Sequence, residues 1–407
     1  MPLTNFTREL QKQIDEIEQA GTAKGAEQVV VRIKKPQGQK GPRFFLDGLG
    51  NKEFIRMNSN SYLGMGLRDE LLKAEEKGAE RFGVGPGAVR FISGTYEPHI
   101  KLERKLAAFH GREDCMLTSA AYACVMGVIS TLTTPETIII SDELNHNCII
   151  NAMKLARPKS KKIYPHLDMN TLETLIKESI GACENLMIVT DGVFSMRGDF
   201  APLDKICEII GKYNDKFPND IYLIVDDSHG VGAFGKTGRG TEEYTGAGKV
   251  DVLVATLGKA FGVNGGYVVS SKTVIQFLRE KNPFYIYTNP ITPSEATASL
   301  KALEILEGPE GQVLLKHLRE MTARFEKGLT VLGFETIPSE HPVVPLMVRD
   351  TAKTTQLVQY LRDNGVLATG LNYPVVPKGD QLIRFQICAD HTPYDVDYVL
   401  GVLESFK

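Results

Sequence analysis

The chain of 407 residues is long enough for two or three domains, and its 42% hydrophobic and 24% charged residues are typical of globular proteins. Its 47 basic and 50 acidic residues nearly cancel, which argues against a nucleic-acid-binding surface. No apolar run approaches the roughly 18 residues that span a bilayer, and the charged start MPLTNFTRELQKQIDEIEQAG is unlike a secretory signal. We therefore expect neither a nucleic-acid partner nor a membrane span.

Residues 5–20 show helical periodicity, with Leu10, Ile14 and Ile17 on one stripe, and turn residues flank a predicted hairpin around Phe44–Leu46. From residue 114 onward, short β-branched runs alternate with helical segments, a pattern typical of βαβ units. The runs are 114–119, 136–141, 161–165, 185–192, 221–227, 251–258 and 265–271. They predict an α/β fold whose mostly parallel sheet is covered on both faces.

The pattern changes after Pro290, where a long helical stretch leads into predicted strands at 343–348 and 382–388 with a helix between them. This predicts a smaller α+β domain that closes against the first. We therefore divide the chain into an N-terminal helix and hairpin segment (1–55), a large cofactor-binding domain (56–290) and a small C-terminal domain (291–407).

Six cysteines lie at positions 115, 124, 148, 183, 207 and 388 without any CxxC pair. This usage is typical of reduced thiols in the cytoplasm and argues against a zinc site. We expect a cytoplasmic protein with no bound metal.

Polar residues at the carboxyl ends of the predicted strands are the first candidates for chemistry, because ligands of such sheets lie there. IYLIVDD contains Asp226, DVLVATLG leads to Lys259, and NLMIVTDG contains Asp191. A single lysine in such a loop is more often a solvated charge, but its pairing with an aspartate on a neighbouring strand favours another interpretation. A lysine that binds covalently and an aspartate that keeps a pyridine nitrogen protonated are what pyridoxal 5′-phosphate (PLP) requires.

Seven motifs, taken in order, resemble one family: the α-oxoamine synthases, fold-type I PLP enzymes that join an amino acid to an acyl-CoA. The motifs are NSNSYLGMG (58–66), VRFISGTYEPHIKLERKLAAFHG (89–111), SDELNHNCII (141–150), DGVFSMRGDFAPL (191–203), VDDSHGVGAFGKTGRG (225–240), TLGKAFG (256–262) and IRFQICADHTP (383–393). The resemblance runs from Leu10 to the C-terminus. It implies a fold-type I PLP transferase with a large, mostly parallel sheet domain and a smaller α+β domain.

The resemblance implies that PLP is the cofactor and that Lys259 binds it and later carries the α-proton of the substrate. Asp226 pairs with the pyridine nitrogen. His229 hydrogen-bonds the phenolic oxygen, with Ser195 near the same edge. His146 stacks on the ring. These four catalytic residues are Lys259, His229, Asp226 and His146.

For the phosphate, the resemblance implies contacts from Thr256 and from the backbone amides of Ala120 and Ala121. A helix that starts directly after a strand offers such backbone donors. Thr288, in YIYTNP, resembles the residue that the family lends across a homodimer interface, so the active site is expected to be shared. Because the sequence departs from the family pattern near Ala121, we assign no role to Tyr122.

For the substrates, the resemblance assigns Arg384 to the amino-acid carboxylate, a bidentate task that suits arginine, with Asn60 assisting. VDDSHGVG and YPVVPKG (373–379) most resemble glycine C-acetyltransferase, which makes 2-amino-3-oxobutanoate from glycine and acetyl-CoA. The alternatives are 8-amino-7-oxononanoate synthase, which uses L-alanine and a pimeloyl thioester, and an enzyme similar to serine palmitoyltransferase. A non-catalytic partner subunit is an alternative of another class, but such a subunit would be expected to lose Lys259.

Overall fold

The computed structural model describes residues 4–20, 23, 25–373 and 375–406. The strands are β1 (Val30–Lys34), β2 (Arg43–Leu46), β3 (Ile55–Arg56), β4 (Asp114–Thr118), β5 (Thr137–Asp142), β6 (Ser160–Tyr164), β7 (Asn185–Asp191), β8 (Ile221–Asp226), β9 (Val252–Thr256), β10 (Gly266–Ser270), β11 (Glu335–Thr336), β12 (Val343–Met347), β13 (Val366–Leu367), β14 (Thr369–Leu371) and β15 (Leu382–Gln386). The helices are α1 (Thr4–Gln19), α2 (Asp69–Phe82), α3 (Glu97–His110), α4 (Ala121–Leu132), α5 (Asn147–Ala156), α6 (Met169–Lys177), α7 (Leu203–Tyr213), α8 (Thr241–Thr245), α9 (Lys272–Lys281), α10 (Pro283–Ile286), α11 (Pro293–Glu307), α12 (Pro309–Val331), α13 (Thr351–Asp363) and α14 (Pro393–Glu404). Of the helices in these ranges, none is both long and apolar enough to cross a bilayer.

The central sheet has the strand order β4-β10-β9-β8-β7-β5-β6, with seven strands in the described part of the chain. β10 runs opposite to both of its neighbours, β4 and β9, and the pairings among β9, β8, β7, β5 and β6 are parallel. Consecutive residues of one strand belong to different cores: Ile188 packs into one, while Met187 and Val189 pack into the other. Both faces of the sheet are therefore covered, which confirms the predicted α/β fold and explains the continuous apolar runs.

The register of the parallel strands decides where the candidate residues lie. Asp191, the last residue of β7, pairs with Asp226, the last residue of β8, and Asp226 pairs in turn with Val254 of β9. The carboxyl ends of β7, β8 and β9 therefore meet at one edge, where the residues that follow each strand can surround a single cavity.

The N-terminal segment and the C-terminal part of the chain are joined by direct contacts. β3 pairs in parallel with β13, and a second, antiparallel sheet has the order β11-β12-β15-β14 in the described residues. Arg43 forms a buried ion pair of 2.5 Å with Asp395, whose other oxygen accepts the Gly41 amide at 2.9 Å. These contacts cross the predicted domain boundaries at residues 55 and 290, which stay predictions.

Helix α1 forms where helical periodicity predicts it, but none of its described residues is buried. Its apolar stripe is accessible to solvent, with Phe6 60%, Leu10 41% and Ile14 47% exposed. Val29, which precedes β1, is also 55% exposed. The stripe therefore does not form part of the core of its own chain.

A partly buried ion cluster holds the 191–203 loop, which carries Ser195, against the sheet. His166, which follows β6, lies 2.9 Å from Asp142 at the end of β5 through Nδ1 and 3.2 Å from Asp199 through Nε2. Its ring also packs edge-on against Phe194. Burial opposes a charge on His166, but the two carboxylates outweigh this effect and raise its pKa to about 9.

This cluster predicts a pH-dependent stability. His166 binds its proton more tightly in the fold than in the unfolded chain, where its pKa is near 6.5, so its contribution is complete below that value and is lost as the pH rises through about 9. The loss should be of the order of 3 kcal/mol, measured by urea unfolding between about pH 6 and about pH 10. His166→Gln should flatten this dependence, whereas His317→Gln, which removes a side chain bonded to the His391 carbonyl, should not. A wild-type stability that rises over this interval would contradict the assignment.

Candidate active site

The carboxyl ends of β7, β8 and β9 surround a cavity of about 260 Å³. The structure brings seven of the predicted site residues to its wall: Ala121, His146, Ser195, Asp226, His229, Thr256 and Lys259. Ala120 lies beside the cavity as the residue before α4. The cavity therefore lies where the strand ends predict it.

Lys259 follows β9, and its side chain is buried in the cavity. Burial lowers the pKa of its amine to about 8; the nearby carboxylates of Asp226 and Asp191 oppose this effect, and the charge of Arg384 adds to it. A substantial fraction of the amine is therefore neutral near physiological pH, as a nucleophile or a general base requires.

Asp226 is held from both sides of its carboxylate. Oδ1 accepts the Ser228 amide at 3.1 Å and the Ser228 hydroxyl at 2.5 Å. Oδ2 lies 3.5 Å from the Sγ atom of Cys148. Burial and the neighbouring carboxyl groups of Asp226 and Asp191 raise the pKa of Cys148, so this thiol keeps its proton, and its Sγ atom also lies 2.9 Å from Nδ1 of His146. The sequence analysis did not identify the roles of Ser228 and Cys148, although both lie within motifs that it singled out.

Asp191, the carboxyl group at the end of β7, lines the cavity beside Asp226. Burial and the neighbouring Asp226 raise its pKa well above the usual range, which favours its protonated form. Its Oδ2 atom accepts the backbone amide of His146 at 2.8 Å. Asp191 therefore positions the turn that carries His146.

His146 caps the start of α5, and its Nδ1 atom accepts the amide of Cys148 at 3.3 Å. Burial lowers the pKa of His146, which favours a neutral ring. Tyr122 lines the cavity and meets this ring edge-on, at 6.2 Å between centroids. Its hydroxyl donates to Asn147 at 2.8 Å. Tyr122, to which the sequence analysis assigned no role, is therefore part of the cavity wall beside His146.

His229 is held by residues from outside the central sheet. Its Nδ1 atom lies 2.7 Å from the Tyr62 hydroxyl, and its carbonyl accepts Nε2–H of His341 at 2.9 Å. Burial lowers the pKa of His229 well below its ordinary value, and the charges of Lys259 and Arg384 add to this effect. The ring is therefore neutral.

Arg384 of β15 does not line the cavity, but it lies close enough for its charge to lower the pKa values of Lys259 and His229, and it contacts Asn60. Asn60 Oδ1 accepts Nη2 of Arg384 at 3.1 Å and Nε2 of Gln386 at 2.5 Å. The Nε atom of Arg384 is buried without a hydrogen-bond partner in the described residues. The guanidinium also forms no ion pair with a carboxylate of that part of the chain. Because a buried charge is normally paired, this arrangement indicates an anionic ligand.

The start of α4 offers backbone donors to the cavity. Ala120 precedes the helix, and no described side chain caps it. Residue 266 in the neighbouring strand β10 must be glycine, because a Cβ atom there would lie 2.4 Å from the amide nitrogen of Ala121. Thr256 Oγ1 accepts the Gly258 amide at 3.0 Å at the same end of the sheet. These groups are suited to a phosphate.

Thr288 is a predicted site residue that does not line the cavity of its own chain. Its hydroxyl donates to the Phe284 carbonyl at 2.5 Å, beside Tyr287, which is 76% exposed. Its role across a dimer interface stays a prediction.

Comparisons with known proteins agree with this geometry. Residues 52–403 match the family model described as aminotransferase class I and II. An 8-amino-7-oxononanoate synthase from Thermosipho melanesiensis is 37% identical over 395 residues, which are 97% of this chain and 96% of that protein. Another from Coprothermobacter proteolyticus is 36% identical over 100% of both chains. Serine palmitoyltransferase from S. paucimobilis, solved with bound PLP–myriocin, is similar with a TM-score of 0.87 and 25% identity, over 100% of this chain and 98% of that one.

The residues of the cavity fit PLP. The Lys259 amine has a lowered pKa, the Asp226 carboxylate lies in the same cavity, and the uncapped start of α4 is kept accessible by Gly266. Lys259 would hold the aldehyde carbon, Asp226 the pyridine nitrogen, and α4 with Thr256 the phosphate. The cavity thus provides a separate contact for each reactive part of the cofactor.

We expect borohydride reduction of the PLP-loaded protein to fix the cofactor on Lys259, as measured by peptide mass mapping. Because the pKa of this amine is about 8, brief exposure of the apo-protein to PLP should give a yield that rises as the pH passes through this value. Lys259→Ala should abolish the adduct, and Lys236→Ala, which alters an exposed lysine, should preserve it. Recovery of the adduct on a different lysine would refute the assignment.

Proposed function

The chain belongs to the aminotransferase class I and II family and is an α-oxoamine synthase with PLP as its cofactor, and we propose that it makes 8-amino-7-oxononanoate from L-alanine and a pimeloyl thioester. In this reaction the Cα–H and Cα–carboxylate bonds of alanine break, Cα bonds to the acyl carbon, and the thiol and carbon dioxide leave. A proton returns to Cα. The choice of these substrates is supported by relatives of 35–38% identity that bear this name. The glycine C-acetyltransferase expectation finds no specific support among them.

The observation that carries the proposal is the Arg384 guanidinium, which lies near the amine of Lys259, forms no ion pair with a described carboxylate and has a buried Nε atom without a hydrogen-bond partner in the described residues. A carboxylate that binds the Arg384 fork neutralises this charge and, with Asn60, fixes the amino acid by one end. The rest of the substrate then extends toward Lys259. The arrangement binds an α-amino acid in one orientation.

Once bound, PLP supplies an electron sink for the negative charge that develops at Cα. Lys259 removes the proton from Cα and returns one to the product, since its amine is neutral in an appreciable fraction of molecules. Asp226, held by Ser228 and Cys148, keeps a proton on the pyridine nitrogen.

The proposal includes a homodimer with shared active sites. It is supported by apolar side chains that a single chain leaves exposed in the motif at 89–111 and just before it: Phe91 is 66%, Ile92 67% and Val84 84% exposed. Thr288 lies next to the exposed Tyr287 and would reach the partner's phosphate site. A non-catalytic partner subunit is disfavoured, because Lys259 and Asp226 line one cavity.

The substrate choice can be tested by measuring thiol release over a matrix of amino acids and acyl-CoAs. We expect L-alanine with pimeloyl-CoA to be fastest, with one carbon dioxide released per CoA. Glycine in place of alanine should react roughly 10–200-fold more slowly, because one missing methyl contact is worth only a few kcal/mol. Lys259→Ala provides the background rate. Faster turnover of glycine with acetyl-CoA would replace this proposal by glycine C-acetyltransferase, and faster turnover of L-serine with palmitoyl-CoA would replace it by a serine palmitoyltransferase.

The carboxylate clamp can be tested with Arg384→Lys, which keeps the charge but loses the planar fork. The KM for the amino acid should rise by about tenfold or more, because a hydrogen bond to a charged group is lost. The KM for the acyl thioester should change much less. Arg324→Lys is the matched control, since Arg324 makes a bidentate pair with Asp397 at the exposed surface. Equal increases in both KM values for Arg384→Lys would contradict the role.

A further inference from the structure

We propose that Tyr62 is a positioning residue that fixes the tautomer of His229, so that Nδ1 accepts a hydrogen bond and Nε2–H faces the cavity. Tyr62 is fully buried, and its hydroxyl lies 2.7 Å from Nδ1. It belongs to the motif NSNSYLGMG, in which the sequence analysis assigned a role only to Asn60. The tautomer is inferred from hydrogen-bond geometry. Only the identity of the oxygen that accepts the Nε2–H hydrogen bond rests on the proposed function.

The direction of the hydrogen bond follows from the neighbours of the Tyr62 hydroxyl. The Arg384 guanidinium has hydrogen-bond donors and no acceptor. It lies beside the Tyr62 hydroxyl and donates to its oxygen. Asn60 Oδ1 lies 3.4 Å away and already accepts two shorter bonds, from Arg384 and Gln386. His229 Nδ1 is the nearer acceptor. The single hydroxyl proton of Tyr62 therefore points to Nδ1.

Only one of the two ring nitrogens of His229 is then available to carry the proton of the neutral ring. Burial keeps the imidazole neutral, and a neutral imidazole carries one N–H. With Nδ1 accepting from Tyr62, this proton is on Nε2. His341 holds the backbone of His229 from the other side, and its own orientation is set by the Val343 amide, which donates to Nδ1 of His341 at 3.2 Å.

This tautomer has a consequence for the reaction. Nε2–H donates to an anionic oxygen in the cavity, whereas the opposite tautomer would direct a lone pair at the same oxygen and repel it. Because Tyr62 also lies beside Arg384, one hydroxyl group links the carboxylate clamp to the donor at the cofactor edge. Loss of this hydroxyl should lower kcat by about ten- to a hundredfold, the effect of losing a hydrogen bond to a charged group.

The tautomer can be read directly by NMR from two-bond proton–nitrogen couplings in protein labelled with [15N]histidine, with and without PLP. We expect a protonated Nε2 and an unprotonated Nδ1 for His229, whose signals are assigned by their loss in His229→Gln. In Tyr62→Phe, the His229 signals should shift toward a mixture of tautomers. Tyr267→Phe is the matched control, because it removes the hydroxyl from another buried pair, Tyr267 with Nε2 of His110 at 2.9 Å. It should change the signals of His110 only.

Two results would overturn the proposal: a protonated Nδ1 on His229 in the wild-type protein, or His229 signals that are unchanged in folded Tyr62→Phe. The wild-type spectrum decides the matter even if the variant does not fold. Kinetics provide a second readout, since kcat should fall in Tyr62→Phe while the KM for the acyl thioester stays within about twofold. If no substrate pair turns over, the proposed function fails, but the NMR result still decides the role of Tyr62.

Discussion

The pairing of β7 with β8 places two carboxyl groups, Asp191 and Asp226, side by side at one end of the sheet. The rest of the site depends on the different surroundings of these two groups. Two neighbouring buried carboxyl groups cannot both ionise without a large cost. Burial and the charge of Asp226 raise the pKa of Asp191, so Asp191 serves as a neutral acceptor for the His146 amide. Asp226 instead accepts hydrogen bonds from the amide and the hydroxyl of Ser228 and faces the cavity. One strand register thereby places a structural support beside a candidate catalytic group.

Burial acts in the opposite sense on the basic groups of the cavity. It lowers the pKa values of Lys259, His146 and His229, which favours the neutral forms of these side chains. Arg384 keeps its charge because a guanidinium does not lose its proton in proteins. The cavity therefore combines neutral bases, one carboxylate and one unpaired cation. This combination is suited to an amino acid whose carboxylate is bound while its Cα proton is removed.

The site is assembled from three parts of the chain. The central sheet contributes the strand ends, the residues near position 60 contribute Asn60 and Tyr62, and the C-terminal part contributes Arg384 and His341. His229 shows the dependence most clearly, because its ring contacts Tyr62 and its carbonyl contacts His341. A shift of the small domain would therefore alter the carboxylate clamp and the orientation of His229 together.

The sequence by itself determined the α/β fold, the strand ends and the cavity residues Asp226 and Lys259. The alternation of strands with helices and the position of a residue at a strand end are local patterns, so they can be recognised from neighbouring residues in the sequence. Its motifs also identified the family and PLP, although two short segments favoured glycine C-acetyltransferase while similarity over the whole chain favours 8-amino-7-oxononanoate synthase. Only the tertiary structure decided that Asp191 is buried with a raised pKa, that Tyr122 and Cys148 line the cavity, and that Tyr62 and Gln386 contact His229 and Asn60. Tyr62 and His229 are separated by 167 positions. Contacts between residues so far apart in the chain, and the pKa values that follow from shared burial, arise from the packing of whole elements, which no local pattern specifies.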